Sequence, residues 1–402
     1  MRIYIATFGC KVNQYESDAI AANCTAHGLE LVDSWQIADA IILNSCVVTN
    51  RAEQKSASML RRIIRENPNA KIILTGCMTE KTHTDYGQID VRNKDKVEEV
   101  LRMLGVSGII TEAHMHDRTR TYIKIQDGCN AWCSYCIIPH VRGRERDEDI
   151  HSIIAHAHNA AKNGFKEIVL TGIHTGRFSQ LPQLIDIIGD IPGITRIRLS
   201  SIELNEVTDE LVERLASGKL VPHLHIPLQS GSNEILSRMK RPYTRELFIS
   251  RLEELTKKIP GIGITTDLIV GFPGETEEDF LYSLDTIEQA GIHRVHVFPY
   301  SLREGTVAAN MPAHCSVTMK KNRAERAREF GYAMFARFCA QQSGMRQKVL
   351  VEEINNDDIV SGYTENYVYI QCYYPDAAIN ESIDVFLGEP QKGEYVCMAH
   401  KA

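Results

Sequence analysis

The sequence predicts an α/β chain in three parts: an N-terminal doubly wound parallel sheet, a central partial (β/α)6 barrel and a C-terminal small antiparallel β-barrel. Three observations carry this. In the first 80 residues, continuous β-branched runs alternate with helical segments, as buried parallel strands and their crossovers do. Six more strand candidates follow, separated by helix-length stretches, too few for a complete eight-stranded barrel. The last 54 residues then change to short alternating strands cut by turn residues.

The N-terminal strands are IYIAT before Phe8-Gly9-Cys10, IILN before Ser45-Cys46 and IILT before Gly76-Cys77, with helices from Glu16 to His27 and Glu53 to Arg65 between them. A further helix, Lys94 to Leu104, and a strand, Gly108 to Thr111, are expected before a polar, aperiodic linker from Ala113 to Thr121. The central strands begin at Tyr122 (YIKIQ), Glu167 (EIVLT), Arg196 (RIRLSS), His223 (HLHIPL), Gly263 (GITTDLIV) and Arg294 (RVHVFPY). An Arg-rich helix, Met319 to Gln342, leads to the terminal strands VLVEEI, YVYIQCY, IDVFL and EYVCMA. The expected domains are residues 1–116, 117–342 and 343–402.

Hydrophobic (43%) and charged (24%) fractions exclude wholesale disorder, and a net charge of −7 excludes a protein that grips polyanions indiscriminately. No apolar run approaches the ~18 residues of a membrane span, and MRIYIATFGC has no cleavage signal, so a soluble cytoplasmic protein is expected. Eleven cysteines are fewer than a disulfide scaffold needs and point to metal or redox chemistry.

Cys129, Cys133 and Cys136 form a CxxxCxxC triplet, DGCNAWCSYC, at the end of the first barrel strand. Three thiolates on one loop bind three corners of an iron-sulfur cube and leave one iron open. A structural zinc site is the other reading, but it wants a fourth ligand, and His140 stands at an awkward distance. With Tyr135 before its last cysteine, the triplet resembles the signature of the radical S-adenosylmethionine superfamily. That resemblance implies a [4Fe-4S] cluster whose open iron chelates S-adenosyl-L-methionine, which the cluster cleaves to a 5'-deoxyadenosyl radical. It also implies cofactor contacts from Tyr135, from Thr171 and Gly172, from Arg198, Ser201 and Glu203, from Gln229, and from Ile269 and Gly271 in IVGFPGE. Arg198 has an alternative role in an internal salt bridge, and Gly-Phe-Pro-Gly is equally a plain turn.

Cys10, Cys46 and Cys77 lie far apart in sequence, yet each follows a parallel strand and so emerges on the same carboxyl edge, where open α/β sheets bind ligands. They read either as ligands of a second cluster or as three buried small hydrophobes. TFGCKVNQYES, NSCVVT and TGC resemble the N-terminal domain of the methylthiotransferases, two-cluster radical enzymes, and the resemblance runs the whole chain, ending in a TRAM-like RNA-binding barrel. FGCKVNQYES with GYTENY (362–367) resembles the bacterial branch acting on threonylcarbamoyladenosine beside the tRNA anticodon; other branches act on isopentenyladenosine or a ribosomal protein, and an RNA-binding redox sensor is a different class altogether. The resemblance implies two [4Fe-4S] clusters, S-adenosylmethionine as methyl donor and radical source, attack at C2 of the adenine, a tRNA anticodon stem-loop as partner, a small electron-transfer protein as reductant and a sulfur donor. The family's Ser-Arg pair after CIIPxxRG is absent; the chain reads Arg142-Gly-Arg-Glu-Arg-Asp-Glu-Asp149. Cys24, Cys315, Cys339, Cys372 and Cys397 match no ligand position and read as packing or surface thiols.

After Lys348 the chain carries ten acidic residues against Lys392 and Lys401, so the terminal barrel is acidic. RNA recognition there is expected from stacking on tyrosines such as Tyr363, Tyr367 and Tyr369, the alternative being that they pack the barrel. Phosphate contacts are expected from Arg61 and Arg62 and from Lys320 and Lys321, unless these are solvated helix faces.

Overall fold

The computed structural model describes residues 1–80, the backbone of 89–90, 96–108 and 119–402. The first part comprises β1 (Arg2–Thr7), α1 (Lys11–Ala26), β2 (Glu30–Leu31), β3 (Ala40–Ser45), α2 (Asn50–Glu66), β4 (Lys71–Gly76), β5 (Ile89–Asp90) and α3 (Lys96–Met103). The sheet is parallel throughout, in the order β2-β1-β3-β4-β5. Its β-branched runs are buried on both faces. Ile3, Ile42 and Ile73 pack under α1 and α3, while Ile41, Leu43, Ile72 and Leu74 pack under Leu60 and Ile63 of α2. The edge strands β2 and β5, two residues each, were too short for a periodic signal. The expected strand over 108–111 and the domain boundary at 116 fall, apart from Gly108, outside the described residues.

The second part opens with β6 (Arg120–Lys124), which starts inside the stretch expected to be linker. The short strands β7 (Gln126–Asp127) and β8 (Arg146–Asp147) pair antiparallel around the cysteine loop, which contains α4 (Ile138–Arg142). Then come α5 (Ile150–Lys162), β9 (Glu167–Thr171), α6 (Leu181–Gly189), β10 (Arg196–Leu199), α7 (Asp209–Ala216), β11 (His223–His225), α8 (Asn233–Arg238), α9 (Arg245–Lys258), β12 (Gly263–Val270), α10 (Glu277–Gln289) and β13 (Arg294–Pro299). Six parallel strands form two sheets, β6-β9-β10 and β11-β12-β13, which meet where Ile202 N donates to His225 O at 3.0 Å. Among the described residues no ladder joins β13 to β6, so the barrel is open on that side, as expected. Alternation along the strands sends Ile123, Ile168, Leu170, Ile197 and Leu199 into the helix-facing core. The intervening residues, Glu167, Arg198, His225, Thr265, Asp267 and His296 among them, line the interior.

The long helix α11 (Val317–Gln341) packs on β13 and reaches the third part, a closed barrel of β14 (Arg346–Ile354), β15 (Ile359–Thr364), β16 (Tyr369–Tyr373), β17 (Ser382–Pro390) and β18 (Cys397–Lys401) in the order β14-β15-β16-β18-β17. β15 went unrecognised because its run, IVSGYT, is interrupted by Ser and Gly. Phe335, Phe338 and Cys339 of α11 enter this barrel's core beside Cys372 and Cys397.

The segment 362–367 plugs the N-terminal end of the central barrel. Arg196 donates to Tyr363 O (3.0 Å), Arg198 to Glu365 O (3.1 Å), and Asn366 Nδ2 to Gly261 O (3.1 Å). Tyr367 stacks between His223 and Tyr363, 4.3 Å from each ring, with Arg198 over its face at 4.9 Å. Behind the plug, Glu167 is the buried counter-charge for Arg198 (3.1 Å), Arg196 (3.8 Å) and Arg120 (3.8 Å). Burial opposes its ionisation, but Arg198 and Arg120 outweigh that and hold the carboxyl at about 2. Because the folded value lies below the ordinary 4.5, its contribution is present above pH 4.5 and is lost as pH falls toward 2. Glu167→Gln is expected to lower stability by about 3–5 kcal/mol at neutral pH by leaving Arg196 and Arg198 without their anion and Arg120 with Glu352 alone, and to flatten the loss of stability below pH 4.5. Urea midpoints measured against pH check both effects; parallel wild-type and variant curves would contradict them.

Candidate functional site

The ends of β1, β3 and β4 bring Cys10, Cys46 and Cys77 to one point. Gly9 has φ +111°, and a Cβ there would lie 2.9 Å from Cys46 Cβ and 3.0 Å from its sulfur; at Gly76, φ +90°, a Cβ would strike the Ser45 backbone. The glycine before each of Cys10 and Cys77 thus permits a close turn that no L side chain fits. Ser45 Oγ donates to Thr75 O (2.6 Å) and accepts from Met78 N (3.2 Å), tying the second and third turns together. Burial pushes the Cys46 thiol up to about 11 and raises that of Cys77; Cys46 also feels Cys77 and Cys10, and Cys77 feels Cys10. None of the three is in a disulfide. The Arg142 guanidinium works the other way on Cys46 and Cys77 and favours proton loss, as binding to a metal requires, so the donor set fits one.

Cys129, Cys133 and Cys136 are gathered by a loop pinned at several points. Cys129 N donates to Gly143 O (3.1 Å), Ser134 N to Met239 O (3.1 Å), Ser134 Oγ to Arg238 O (2.7 Å), and Ala308 N to Ser134 O (2.7 Å). Burial pushes the Cys136 thiol up to about 12, with Cys133 and Cys129 close enough to add to it. Arg241 donates to Cys133 Sγ (3.5 Å), pairs with Glu203 and donates to Tyr243 Oη (3.0 Å). Cys129 Sγ lies 3.7 Å from His174 Nδ1. Cys129, Glu145 and His174 also form a compact donor set with ligand atoms within 4.8 Å of one another. In that set both imidazole nitrogens are taken, Nδ1 by Glu145 (2.7 Å) and Nε2 by Glu206 (2.8 Å). Burial works against the charged ring, but Cys129 and Glu206 outweigh it and push His174 up to about 11. His140, weighed as a fourth zinc ligand, has its ring edge-on to Trp132 at 5.3 Å.

The two thiol groups share an interface. Val47, Cys77 and Met78 pack with Ile137 and Val141, directly after Cys136. Arg142, fully buried, donates to Asn13 Oδ1, Glu16 (3.4 Å) and Asp127 (3.0 Å), so one guanidinium spans sheet and barrel. Lys96 pairs with Glu16 from a second side, and Lys124 and Arg146 lie 3.5 and 2.9 Å from Asp127. Despite burial, Arg142 and Lys124 hold Asp127 at about 2. Across the mouth, Arg303 after β13 donates to Val47 O (2.8 Å) and Glu53 (2.6 Å). The carboxyl edge of the sheet therefore covers the mouth of the barrel between its first and last strands.

A profile of the Radical SAM superfamily matches residues 123–287, and that of Uncharacterized protein family UPF0004 matches 2–97. The chain is 38% identical to threonylcarbamoyladenosine tRNA methylthiotransferase MtaB of Bacillus subtilis, over 90% of this chain and 88% of that one, and 36% identical to the protein of the same name from Thermotoga maritima, over 91% and 90%. The chain belongs to the radical S-adenosylmethionine methylthiotransferase family. A tRNA-2-methylthio-N(6)-dimethylallyladenosine synthase of Thermoanaerobacter sp. is 32% identical over 88% of this chain and 83% of its own. The radical S-adenosylmethionine methyltransferase TsrM of Kitasatospora setae shares the fold alone: TM-score 0.57, 14% identity, 77% of this chain and 74% of that one. Superfamily membership brings S-adenosylmethionine and one [4Fe-4S] cluster.

In this methylthiotransferase the expected cofactor contacts divide. Tyr135 and Ile269 pack against Phe272 and Tyr300 beside the cysteine loop, Glu203 reaches Cys133 through Arg241, and Thr171-Gly172 closes on Gln126, whose Oε1 accepts from His174 N (2.7 Å). Ser201 is half-buried just past the end of β10, and Gln229, at φ +66°, bridges to Leu268. Gly271 (φ +70°) is covered by the Lys320 side chain, which a Cβ would strike at 2.3 Å. Arg198 is fully buried in the salt bridge to Glu167 and in contacts to the plug, the role weighed beside a cofactor contact for it.

The tyrosines expected as an RNA platform have ring partners within the chain. Tyr363 and Tyr367 are already stacked inside the plug, and Tyr369 packs on Tyr363 at 4.9 Å, because the acidic barrel turns these rings toward Arg120, Arg198 and Arg294. Lys320 folds over Gly271 to donate to Tyr300 O (3.2 Å), and Arg62 lies over Trp35 and pairs with Glu66 (2.9 Å). Arg61 and Lys321 stay on exposed helix faces. Cys24, Cys339, Cys372 and Cys397 are buried packing thiols, and Cys315 is half-buried. Sequence reasoning missed His174, Glu206, Arg241 and the role of Arg142, for which no local spacing exists. Arg142→Met is expected to destabilise the fold by about 3–5 kcal/mol, and Arg142→Lys to recover only part, since one ammonium cannot span three acceptors. Anaerobic thermal unfolding checks this; a lysine variant equal to wild type would refute the bridging role.

Proposed function

We propose that this chain methylthiolates C2 of N6-threonylcarbamoyladenosine beside the tRNA anticodon, with Cys10, Cys46 and Cys77 holding one [4Fe-4S] cluster and Cys129, Cys133 and Cys136 another. The reading is carried by the convergence of two thiol groups on one interface, in a chain whose relatives over nine-tenths of its length are named for this reaction. When bound, the clusters and S-adenosylmethionine supply the radical and sulfur-methyl transfer chemistry. The chain's own residues do the rest. Arg241 sets positive charge beside Cys133, Glu203 and Thr171-Gly172 frame the cofactor, and the sheet edge excludes water from the barrel mouth.

The division into 1–116, 117–342 and 343–402 belongs to the same proposal: auxiliary cluster, radical core and an RNA-binding barrel that doubles as the core's plug. So do an anticodon stem-loop as RNA partner, a small electron-transfer protein as reductant, a sulfur donor and a cytoplasmic site of action; among the described residues no helix is long and apolar enough to cross a membrane.

Mass spectrometry of tRNA nucleosides from a deletion strain tests the substrate. Loss of the methylthio group from threonylcarbamoyladenosine alone supports the reading; loss from the dimethylallyl nucleoside, an altered ribosomal protein, or no change would each reject it. The cluster assignment predicts about eight iron atoms per chain after anaerobic reconstitution and about four in either Cys77→Ala or Cys133→Ala. Unchanged iron in either variant would overturn that ligand set.

A further inference from the structure

The terminal barrel is acidic and its tyrosines have ring partners within the chain, so an RNA brought to the mouth of the central barrel needs its positive surface elsewhere. Helix α2 offers one beside that mouth. Asn50 N, at its start, donates to Ser301 Oγ (2.9 Å), Glu53 accepts from Arg303 (2.6 Å), and Ser56 Oγ accepts from Cys46 N (3.3 Å). Ser56, Leu60 and Ile63 form the buried face. The opposite face is exposed and carries Arg51, Lys55, Arg61, Arg62 and Arg65, with only Gln54 and Ser58 between them and Glu66 at the far end. At 3.6 residues per turn these cations share an arc of about 120° and rise about 21 Å along the axis.

Such a face works against the helix that carries it. Arg51 with Lys55, and Arg61 with Arg65, are like charges at the i,i+4 spacing, and Arg51 stands in the first turn, where the helix dipole disfavours a cation. Arg62 and Arg65 share Glu66 at 2.9 and 3.4 Å. Among the described residues Arg51, Lys55 and Arg61 have no ion pair.

A straight row of cations complements a linear polyanion. A nucleic-acid strand advances one phosphate per roughly 3.4 Å of axis, so a strand laid along α2 brings about six phosphates past the row. Resting on the RNA substrate read above, we propose that the outer face of α2 is the track for the phosphate backbone of the anticodon arm, leading out from the mouth where the target adenosine enters. Arg61 and Arg62 are then the far part of a stripe that begins with Arg51 and Lys55 beside the Cys46 turn. The contacts are sequence-independent, so this surface positions the arm and leaves the choice of nucleoside to the barrel mouth.

The test titrates a labelled anticodon stem-loop carrying threonylcarbamoyladenosine with the full chain, clusters reconstituted, by fluorescence anisotropy at a series of KCl concentrations. Two double variants, Arg51→Gln with Lys55→Gln and Arg61→Gln with Arg65→Gln, are each expected to weaken binding and to lower the slope of log Kd against log salt by about 1.4–1.8, the effect of two lost phosphate contacts. Iron content and thermal midpoint stay at wild-type values, and in turnover KM rises while kcat at saturating stem-loop holds. Lys257→Gln with Lys258→Gln, at the exposed end of α9, leaves the slope unchanged. Wild-type slopes in both α2 variants, or an equal fall in the α9 variant, overturn the proposal. If the α2 variants keep the slope but slow reduction of the clusters by a small acidic flavoprotein, the face belongs to a protein reductant and the RNA track is rejected. A wild type that binds through α2 yet acts on the dimethylallyl nucleoside rejects the substrate reading and leaves this surface standing; one that binds no stem-loop overturns both.

Discussion

Arg142 is the tie on which the arrangement of this molecule depends. One buried guanidinium reaches Asn13 and Glu16 of the sheet and Asp127 of the barrel, and each of those carboxylates has a further cation at hand in Lys96, Lys124 or Arg146. A buried charge network adds little net stability over an apolar core, but a partly satisfied one is strongly unfavourable. The network is therefore satisfied in one docking of the two sheets, the one that brings the Cys77 and Cys136 loops into a shared apolar cluster. Domain geometry and site geometry are set by the same contacts.

The opposite end of the barrel follows a related logic. Its interior collects arginines from the starts of strands, and these need counter-charges and flat surfaces. Glu167 supplies the charge, and Tyr363 and Tyr367 of the acidic terminal barrel supply the surfaces. Cation–π contacts and backbone carbonyls from the plug replace solvent around Arg196 and Arg198. An acidic barrel is thereby useful as a partner for an internal cluster of arginines.

Much of this was legible beforehand. The β-branched runs before Cys10, Cys46 and Cys77 placed all three on one edge because a parallel sheet presents its strand ends together, and the CxxxCxxC loop is local by construction. Partner choice was not legible. The resemblance put Arg198 among the cofactor contacts, with an internal salt bridge as the other reading, and a side chain on the inward face at mid-strand meets whatever fills the barrel, here Glu167 and the plug. The ring partners of Tyr363, Tyr367 and Tyr369 gave no sequence signal, because β15, which carries Tyr363 toward the central barrel, lacks an alternating pattern. His174 and Arg241 gave no signal, since each acquires its role from a carboxylate or thiol brought in by another strand.

The sequence by itself determined the order of elements, the face each strand buries, the two cysteine groups and the charge imbalance of the terminal barrel. These depend on periodicity and composition within windows of a few residues, which local backbone geometry converts directly into structure. The tertiary structure decided which group meets which: Arg142 with Glu16, 126 residues away, and Arg198 with the plug 166 to 167 residues on. A buried ion's partner is chosen by the packing of whole domains, because only the folded chain excludes the water that would otherwise solvate it.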